Sequence, residues 1–426
     1  MYIRSLELTQ FRSARKLSVT LDKKLNVFVG MNGSGKSSIL DASAIMLSWL
    51  VNRIRTTNAS GRPVSESDIT NKTSYANLKI TLDTEWQDCS WNMVKYRFGY
   101  SRKDAVASNL VHASRCAEYI QTAITKSEGN VNIPLFVYYP VNRSVLDVPL
   151  RIRNKHRFTL LSAYDDALTS AANFRTFFEW FRNREDLENE GWKYFSLRHD
   201  TYADEPADHQ LNAVRSALKY LMPEFTNLTV RRYPLRMEVE KNGMVLTVNQ
   251  LSDGEKCLMA MVGDLARRMA IANPARSNPL EGEGIVLIDE IDLHLHPLWQ
   301  QKIIPGLQKT FPNCQFIVST HSPHVITHVK PECLFLLELS SDGLTCFQPE
   351  ESYGKTSERI LEDLMGLNTT RPEEVKNELD VLFDFIQEGK LKEAKEKVQS
   401  LKKIIGNDTE LSRAKTLIFR KELIGK

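Results

Sequence analysis

Eight consecutive residues near the amino terminus have the types and spacing of a phosphate-binding loop. Residues 30–37 read GMNGSGKS and fit the pattern G-x-x-x-x-G-K-[ST], between a β-rich run and an apolar helical segment. Glycines let successive backbone N–H groups turn toward one anion, and the following helix adds its positive amino-terminal end. Lys36 can then reach the outer phosphates of a nucleoside triphosphate, and the Ser37 hydroxyl can ligate Mg²⁺. The residues predicted to bind the nucleotide, taken as ATP, are Gly30, Asn32, Gly33, Ser34, Gly35, Lys36, Ser37 and Ser38.

A second acidic motif follows an apolar run far along the chain. Residues 285–290 read IVLIDE, which predicts a buried strand that ends in two carboxylates. Asp289 is placed to hold Mg²⁺ through water, and Glu290 to act as general base on the attacking water. Two solvated acids at the start of a helix are the alternative interpretation. The phosphate-binding loop elsewhere in the same chain favours the nucleotide site.

Three further segments make the pattern more specific: LSDGEK at 251–256, DLHLHP at 292–297 and STHSP at 319–323. Their order resembles an ABC-type ATPase head of the RecF and overcoming-lysogenisation branch. The resemblance implies that the signature residues Ser252, Gly254 and Glu255 face the γ-phosphate of ATP held by the opposite subunit. It also implies that Asp292 lies in the D-loop and that His321 is the switch histidine, which with Glu290 and Lys36 completes the catalytic set.

Two positions depart from the ABC pattern. Asp253 stands where transporter-type signatures usually carry glycine. A carboxylate near a triphosphate is unfavourable unless it points away or is paired. The glutamine loop has no obvious counterpart, and Asn142-Arg143 is the candidate for its equivalent.

Within that branch, the short chain and its small helical tail look most like the PtuA family of the Septu anti-phage system, which is also found beside some retrons. That family works with a separate HNH nuclease, PtuB. The resemblance implies a homodimer through the ATPase heads, a higher oligomer and an HNH nuclease partner. Residues 345–426 contain no D-x-D pair, so we expect no nuclease site in this chain. A RecF-like repair ATPase that clamps DNA is the alternative function.

The elements that must position these motifs predict an α/β fold with a helical insertion and a helical tail. The resemblance implies that the fold is an ABC-type P-loop head with a mixed sheet. Short buried strands bounded by helices indicate a parallel sheet, and Asn242-Gly243 between two alternating runs predicts a hairpin. The expected divisions are 1–144 and 228–350 for the two parts of the head, 145–227 for the insertion and 351–426 for the tail.

Composition narrows the class of protein. The 426 residues carry a formal charge of +3, which argues against a polycation that binds nucleic acid by bulk charge. A basic stretch at 151–157 could contact nucleic acid, although a solvated or ion-paired loop is the favoured interpretation. The six cysteines show no C-x-x-C spacing and are expected to be free thiols. No apolar run suggests a signal peptide or a membrane span, so we expect a cytoplasmic protein.

Overall fold

The computed structural model describes residues 1–84, 88–100, 106–141, 156–169, 174–196, 208–341 and 343–424. The chain divides into two compact units, Met1–Thr356 and Ser357–Lys426. The strands are β1 (Tyr2–Phe11), β2 (Ala14–Thr20), β3 (Leu25–Gly30), β4 (Tyr75–Asp83), β5 (Asp88–Tyr96), β6 (Leu135–Tyr139), β7 (Phe225–Arg232), β8 (Leu235–Lys241), β9 (Met244–Thr247), β10 (Gly284–Ile288), β11 (Cys314–Thr320), β12 (Leu334–Ser340) and β13 (Gly343–Phe347). The helices are α1 (Lys36–Arg55), α2 (Val111–Lys126), α3 (Phe174–Ser196), α4 (His209–Leu221), α5 (Asp253–Ala272), α6 (Pro297–Thr310), α7 (Pro323–Ile326), α8 (Ser357–Asp363), α9 (Glu373–Gln387), α10 (Leu391–Ile405) and α11 (Thr409–Ile424).

The central sheet has six strands in the order β13-β12-β3-β11-β10-β6. Its strands are parallel except β13, which pairs antiparallel with β12. Strands β6, β10 and β11 are buried along their whole length, as continuous apolar runs in a parallel sheet require. Because parallel strands end at the same edge, the segments that follow β3, β10 and β11 meet there. The predicted α/β head with a mixed sheet is confirmed.

Two antiparallel sheets accompany the central one. The first has the order β2-β1-β4-β5, and its strands bury every second side chain for most of their length. The second has the order β7-β8-β9. The turn between β8 and β9 is Asn242-Gly243, and both residues have positive φ, as a tight hairpin turn needs. Strand β7 begins at Phe225, inside the range 145–227 that was expected to be helical.

The helical part of that range contains α3 and α4, which lie on α5. Their burial follows from composition, since α3 carries a run of aromatic side chains too large to leave in water. The buried members of this run are Phe174, Phe177, Phe178, Trp180 and Phe181. Helix α2 begins at Val111, just after Asn109 pairs with Asn92 of β5.

The second unit, Ser357–Lys426, has an apolar core of its own made by α9, α10 and α11. These helices carry apolar residues at helical spacing and meet in pairs. The buried core residues are Leu379, Leu382, Ile386, Ala394, Val398, Leu401, Leu411, Ala414 and Ile418.

The structure bears on two expectations drawn from composition, the free cysteines and the lack of a membrane span. The sulfurs of Cys89 and Cys116 form a disulfide between β5 and α2, so the expectation of six free thiols is wrong for this pair. Spacing misled the prediction because the two cysteines are far apart in sequence and meet only through the packing of α2 on β5. Among the helices that the structure describes, none is long and apolar enough to cross a membrane.

Candidate functional site

The phosphate-binding loop connects β3 to α1 at the carboxyl edge of the central sheet. Gly33 and Gly35 have φ values of 79° and 92°, a left-handed conformation that favours glycine. A Cβ atom on Gly30 would lie 2.5 Å from the carbonyl oxygen of Leu337, so β12 approaches too closely for a side chain. Sequence and packing therefore fix glycine where the loop must curl.

Lys36 is buried, and its ammonium group is held by the loop itself. Nζ donates to the carbonyl oxygens of Gly30 and Met31, at 2.9 and 3.0 Å. Burial lowers the pKa of Lys36, and the carboxylates that follow β10 partly oppose this effect. The Oγ atom of Ser34 is buried and has no hydrogen-bond partner among the residues that the structure describes. The loop thus presents a desolvated cation and an unsatisfied hydroxyl, which an anionic ligand would complete.

The two acids after β10 are held by one hydroxyl from the neighbouring strand. Ser319 of β11 donates from Oγ to a carboxylate oxygen of Asp289 at 2.5 Å. The same Oγ accepts the backbone N–H of Glu290 at 2.8 Å. Asp289 is 2% exposed, and Glu290 adopts a positive φ of 47°. Register between β10 and β11 therefore places the Asp289 carboxylate and the backbone of Glu290.

The segment after Glu290 is tied to the end of β11 by a second hydroxyl. Thr320 donates from Oγ1 to a carboxylate oxygen of Asp292 at 2.5 Å. Gln300 of α6 donates to the carbonyl oxygen of Leu295 at 2.8 Å, and its own side-chain oxygen accepts from Ser322 at 2.7 Å. The D-loop and the switch segment are thus joined into one network.

His321 lies between Thr320 and Ser322 of this network, in the electrostatic field of Lys36 and the acids. Burial and then the positive charge of Lys36 lower the pKa of His321, while Asp292, Glu290 and Asp289 act against them. The imidazole is therefore neutral at pH 7. The groups brought together at this edge are those predicted from the loop, the two acids, Asp292 and His321.

The signature turn lies at the start of α5, and its polar groups bond to one another. Ser252 caps the helix: its Oγ accepts the N–H of Glu255, and the Glu255 carboxylate accepts the N–H of Ser252 at 2.8 Å. Glu255 also pairs with Lys241 of β8. Burial acts to raise the pKa of Glu255, but the hydrogen bonds from Lys241 and Ser252 outweigh it and hold the pKa below its usual value.

The structure explains separately why glycine stands at position 254 and why a carboxylate is tolerated at position 253. A Cβ on Gly254 would lie 2.1 Å from the carbonyl oxygen of His294, so the signature turn rests directly on the D-loop of its own chain. Asp253 is exposed and pairs with Lys256 at 2.9 Å. The carboxylate that departs from the ABC pattern is thus paired within its own helix.

Several polar residues at this edge were not predicted from the sequence. Ser319 holds the Asp289 carboxylate, Thr320 holds the Asp292 carboxylate, and Gln300 bonds to the D-loop, although only His321 was assigned from the STHSP segment. Ser13 reaches the loop as well, because its Oγ lies 3.0 Å from where a Cβ on Gly35 would be. The adjacent hydroxyls before His321 were the available signal. Asn142-Arg143, and residues 151–155 of the basic stretch, lie outside the described residues.

Comparison with known protein families assigns the chain to one of them. A family model described as "AAA domain, putative AbiEii toxin, Type IV TA system" matches residues 25–327, which include the loop, the acids and His321. The chain belongs to this family. Within the AAA-domain family it is an ATPase of the PtuA and retron-associated type, as two relatives indicate.

The first relative is "Retron Ec83 probable ATPase" from Escherichia coli, which is 33% identical over 84% of this chain and 74% of its own length. The second is "Septu protein PtuA" from Bacillus thuringiensis, 25% identical over 87% of this chain and 86% of its own. Among solved structures, an SMC head bound to the C-winged helix domain of ScpA aligns with a TM-score of 0.46 and 18% identity, over 82% of this chain and 99% of that one.

Proposed function

We propose that this ATPase is the nucleotide-driven switch of a retron or Septu type anti-phage defence complex. ATP joins two heads, hydrolysis separates them, and the change controls a separate HNH nuclease. The relatives support the defence assignment, and the geometry of the loop and the signature turn supports the switch.

One observation carries the switch. In this chain the signature turn packs on His294 of its own D-loop, and the Ser252 and Glu255 side chains bond within the turn. A site that needs a helix amino terminus at the γ-phosphate is therefore left for Ser252 and Gly254 of a second copy. An ATP molecule bound by both copies would supply the differential affinity that a two-state assembly requires.

The residues present fit Mg²⁺ and ATP. The crest of the loop and the Ser37 hydroxyl are exposed, and the Asp289 carboxylate is fixed by Ser319 close to the loop. Ser37 and Asp289 would hold Mg²⁺, which when bound would neutralise charge on the outer phosphates.

The other residues of the site then have defined tasks. Lys36 would exchange its two carbonyl partners for the outer phosphates, and the N–H groups of the loop would hold the rest of the triphosphate. Glu290 would accept the proton of the attacking water at its carboxylate. Neutral His321 would donate a hydrogen bond to the γ-phosphate, since its ring carries one N–H at pH 7.

Glu290→Gln tests the switch directly. The amide keeps the shape of the side chain but cannot take a proton, so ATP binding is expected to remain while hydrolysis falls about 100-fold or more. ATP and Mg²⁺ should then hold the variant as dimers in size-exclusion chromatography with light scattering. Glu338→Gln, an exposed position on β12, is the matched control. A Glu290→Gln chain that stays monomeric with saturating ATP would remove head dimerisation from the proposal.

The nuclease partner requires a separate test. The neighbouring reading frame should encode an HNH nuclease, and co-expression should yield a complex whose DNA cleavage changes when Lys36 is replaced by alanine. DNA-stimulated ATP hydrolysis with a steep salt dependence and no associated nuclease would instead indicate a DNA clamp.

A further inference from the structure

A polar cavity of about 220 Å³ lies outside the site described above, and it is rich in arginine. None of its lining residues belongs to the phosphate-binding loop, to the acids after β10 or to the signature turn. The lining residues that matter here are Arg55, Arg157, Phe158, Asp165, Arg267 and Arg268.

Arg267 of α5 gives the cavity an unsatisfied donor. Its side chain is 2% exposed, and it donates from Nη2 to Asp264 at 2.6 Å. Its Nε–H has no hydrogen-bond partner among the described residues. Burial lowers the pKa of Arg267, against the attraction of Asp264, so a further anion would offset a desolvation that one shared carboxylate leaves incomplete.

Asp264 is shared because it also accepts from Arg268 and Tyr139. Arg268 donates to it from Nε at 2.7 Å, and the Tyr139 hydroxyl donates at 3.0 Å. Arg268 also donates from Nη1 to the carbonyl oxygens of Ala163 and Asp165, each at 2.8 Å. Arg268 is thus occupied within the fold, and Asp264 cannot by itself neutralise Arg267.

The rim of the cavity adds an arginine whose charge is not paired within the described residues. Arg157 is exposed and has no ion-pair partner in the described part of the chain. Arg55 is balanced by Asp165 at 2.6 Å, and Asp166 adds another carboxylate to the lining. The Nε–H of Arg267 and the guanidinium of Arg157 are therefore two donors that lack partners in the described part of the chain.

We propose that this cavity binds a phosphate group, separately from the ATP of the phosphate-binding loop. Planar guanidinium donors match the oxygen geometry of phosphate better than an ammonium group does. A free phosphate or phosphate monoester and the diester of a nucleic-acid strand share this chemistry, and the experiment distinguishes them.

The full-length chain carrying Lys36→Ala, which disables the loop, is titrated in a calorimeter with inorganic phosphate and with a single-stranded DNA oligonucleotide lacking terminal phosphates. At least one probe should bind. Adding Arg157→Ala should weaken that binding about tenfold, because a charge-assisted hydrogen bond is lost. Adding Arg115→Ala, at an exposed position on α2 outside the cavity lining, should leave it unchanged.

Arg267→Lys provides a second variant. It keeps the charge but removes the Nε–H, so binding should weaken in the same direction while thermal unfolding reports whether the fold survives. Binding of inorganic phosphate supports a free phosphate or monoester, and binding of the oligonucleotide alone supports a nucleic-acid strand.

Two results overturn the proposal: neither probe binds the parent chain, or Arg157→Ala and Arg115→Ala bind alike. Both results are independent of the ATP switch, because every chain in the experiment already carries Lys36→Ala.

Discussion

The phosphate-binding loop and the signature turn both carry groups suited to a phosphate, yet they differ in how much they leave unsatisfied. In the loop, Lys36 is buried on two carbonyl oxygens of its own loop, and Ser34 lacks a partner among the described residues. In the turn, Ser252 and Glu255 bond reciprocally and Asp253 pairs with Lys256.

This difference indicates that the loop is prepared to bind a ligand, whereas the turn is prepared to contact another copy of the chain. The loop is arranged to exchange internal bonds for ligand bonds, so its residues should control binding and chemistry. The side chains of the turn are paired without a ligand, so it can be presented as a rigid surface to another copy. Substitutions in the loop should therefore change activity most, and substitutions in the turn should combine loss of stability with loss of assembly.

Lys36→Ala should have the largest effect. The charge that faces the outer phosphates is lost, and kcat/KM for ATP is expected to fall by about 100- to 1,000-fold. Steady-state hydrolysis and nucleotide titration measure this. Lys16→Ala, an exposed lysine on β2, should hydrolyse ATP at the wild-type rate. Equal activity of the two variants would remove the loop from catalysis.

Gly254→Ala is expected to have the next largest effect. Its Cβ would overlap the carbonyl oxygen of His294, so the turn or the D-loop must move, at a cost of about 2 kcal/mol in the free energy of unfolding. Urea unfolding measures the loss. Gly243→Ala is a poor control because φ is positive there, whereas Gly191→Ala has open space and ordinary φ in α3. A Gly254→Ala chain as stable as Gly191→Ala would show that the turn does not rest on the D-loop.

Ser319→Ala should reduce kcat about tenfold. The substitution removes a donor to Asp289 and leaves the partly buried N–H of Glu290 without its acceptor, which corresponds to roughly 1–2 kcal/mol. A positioning role predicts a lower kcat and a higher Mg²⁺ requirement, with the KM for ATP little changed. An unchanged Mg²⁺ dependence would contradict it.

Glu255→Gln should have the smallest effect, about 0.5–1 kcal/mol in the free energy of unfolding at pH 7, because it weakens a partly solvated pair with Lys241. The pKa of Glu255 is below its ordinary value of 4.5 in the folded chain. A lowered carboxylate pKa stabilises the fold above the unfolded value, and the contribution disappears as the pH falls. The difference between wild type and Glu255→Gln should therefore shrink below about pH 4.5. A constant difference from pH 7 to pH 3 would contradict the ion pair.

The sequence was sufficient for features encoded by neighbouring residues. GMNGSGKS, the apolar run before Asp289 and the Asn242-Gly243 turn each specify local geometry, and the structure has the expected elements at all three. It was insufficient for contacts made by packing. Nothing in the spacing shows that the Ser319 hydroxyl bonds both to the Asp289 carboxylate and to the backbone of Glu290, or that Cys89 meets Cys116.

Glu255 of the signature turn is another residue whose contacts were not predicted from the sequence. Its position in LSDGEK placed it among the expected ATP contacts, but the structure engages its carboxylate with Ser252 and Lys241. A capping-box pattern, serine followed three residues later by glutamate, was present in the sequence and indicates this use.

The central claim is that one chain supplies the phosphate-binding loop and another supplies the signature turn. Mixing Ser252→Ala with Lys36→Ala chains tests it most directly, with hydrolysis measured before and after mixing. Each variant alone should be inactive, and the mixture should regain roughly a quarter of the wild-type rate, because half the dimers are mixed and each has one intact site. A mixture no more active than its separate components, or a fully active Ser252→Ala chain, would contradict the account.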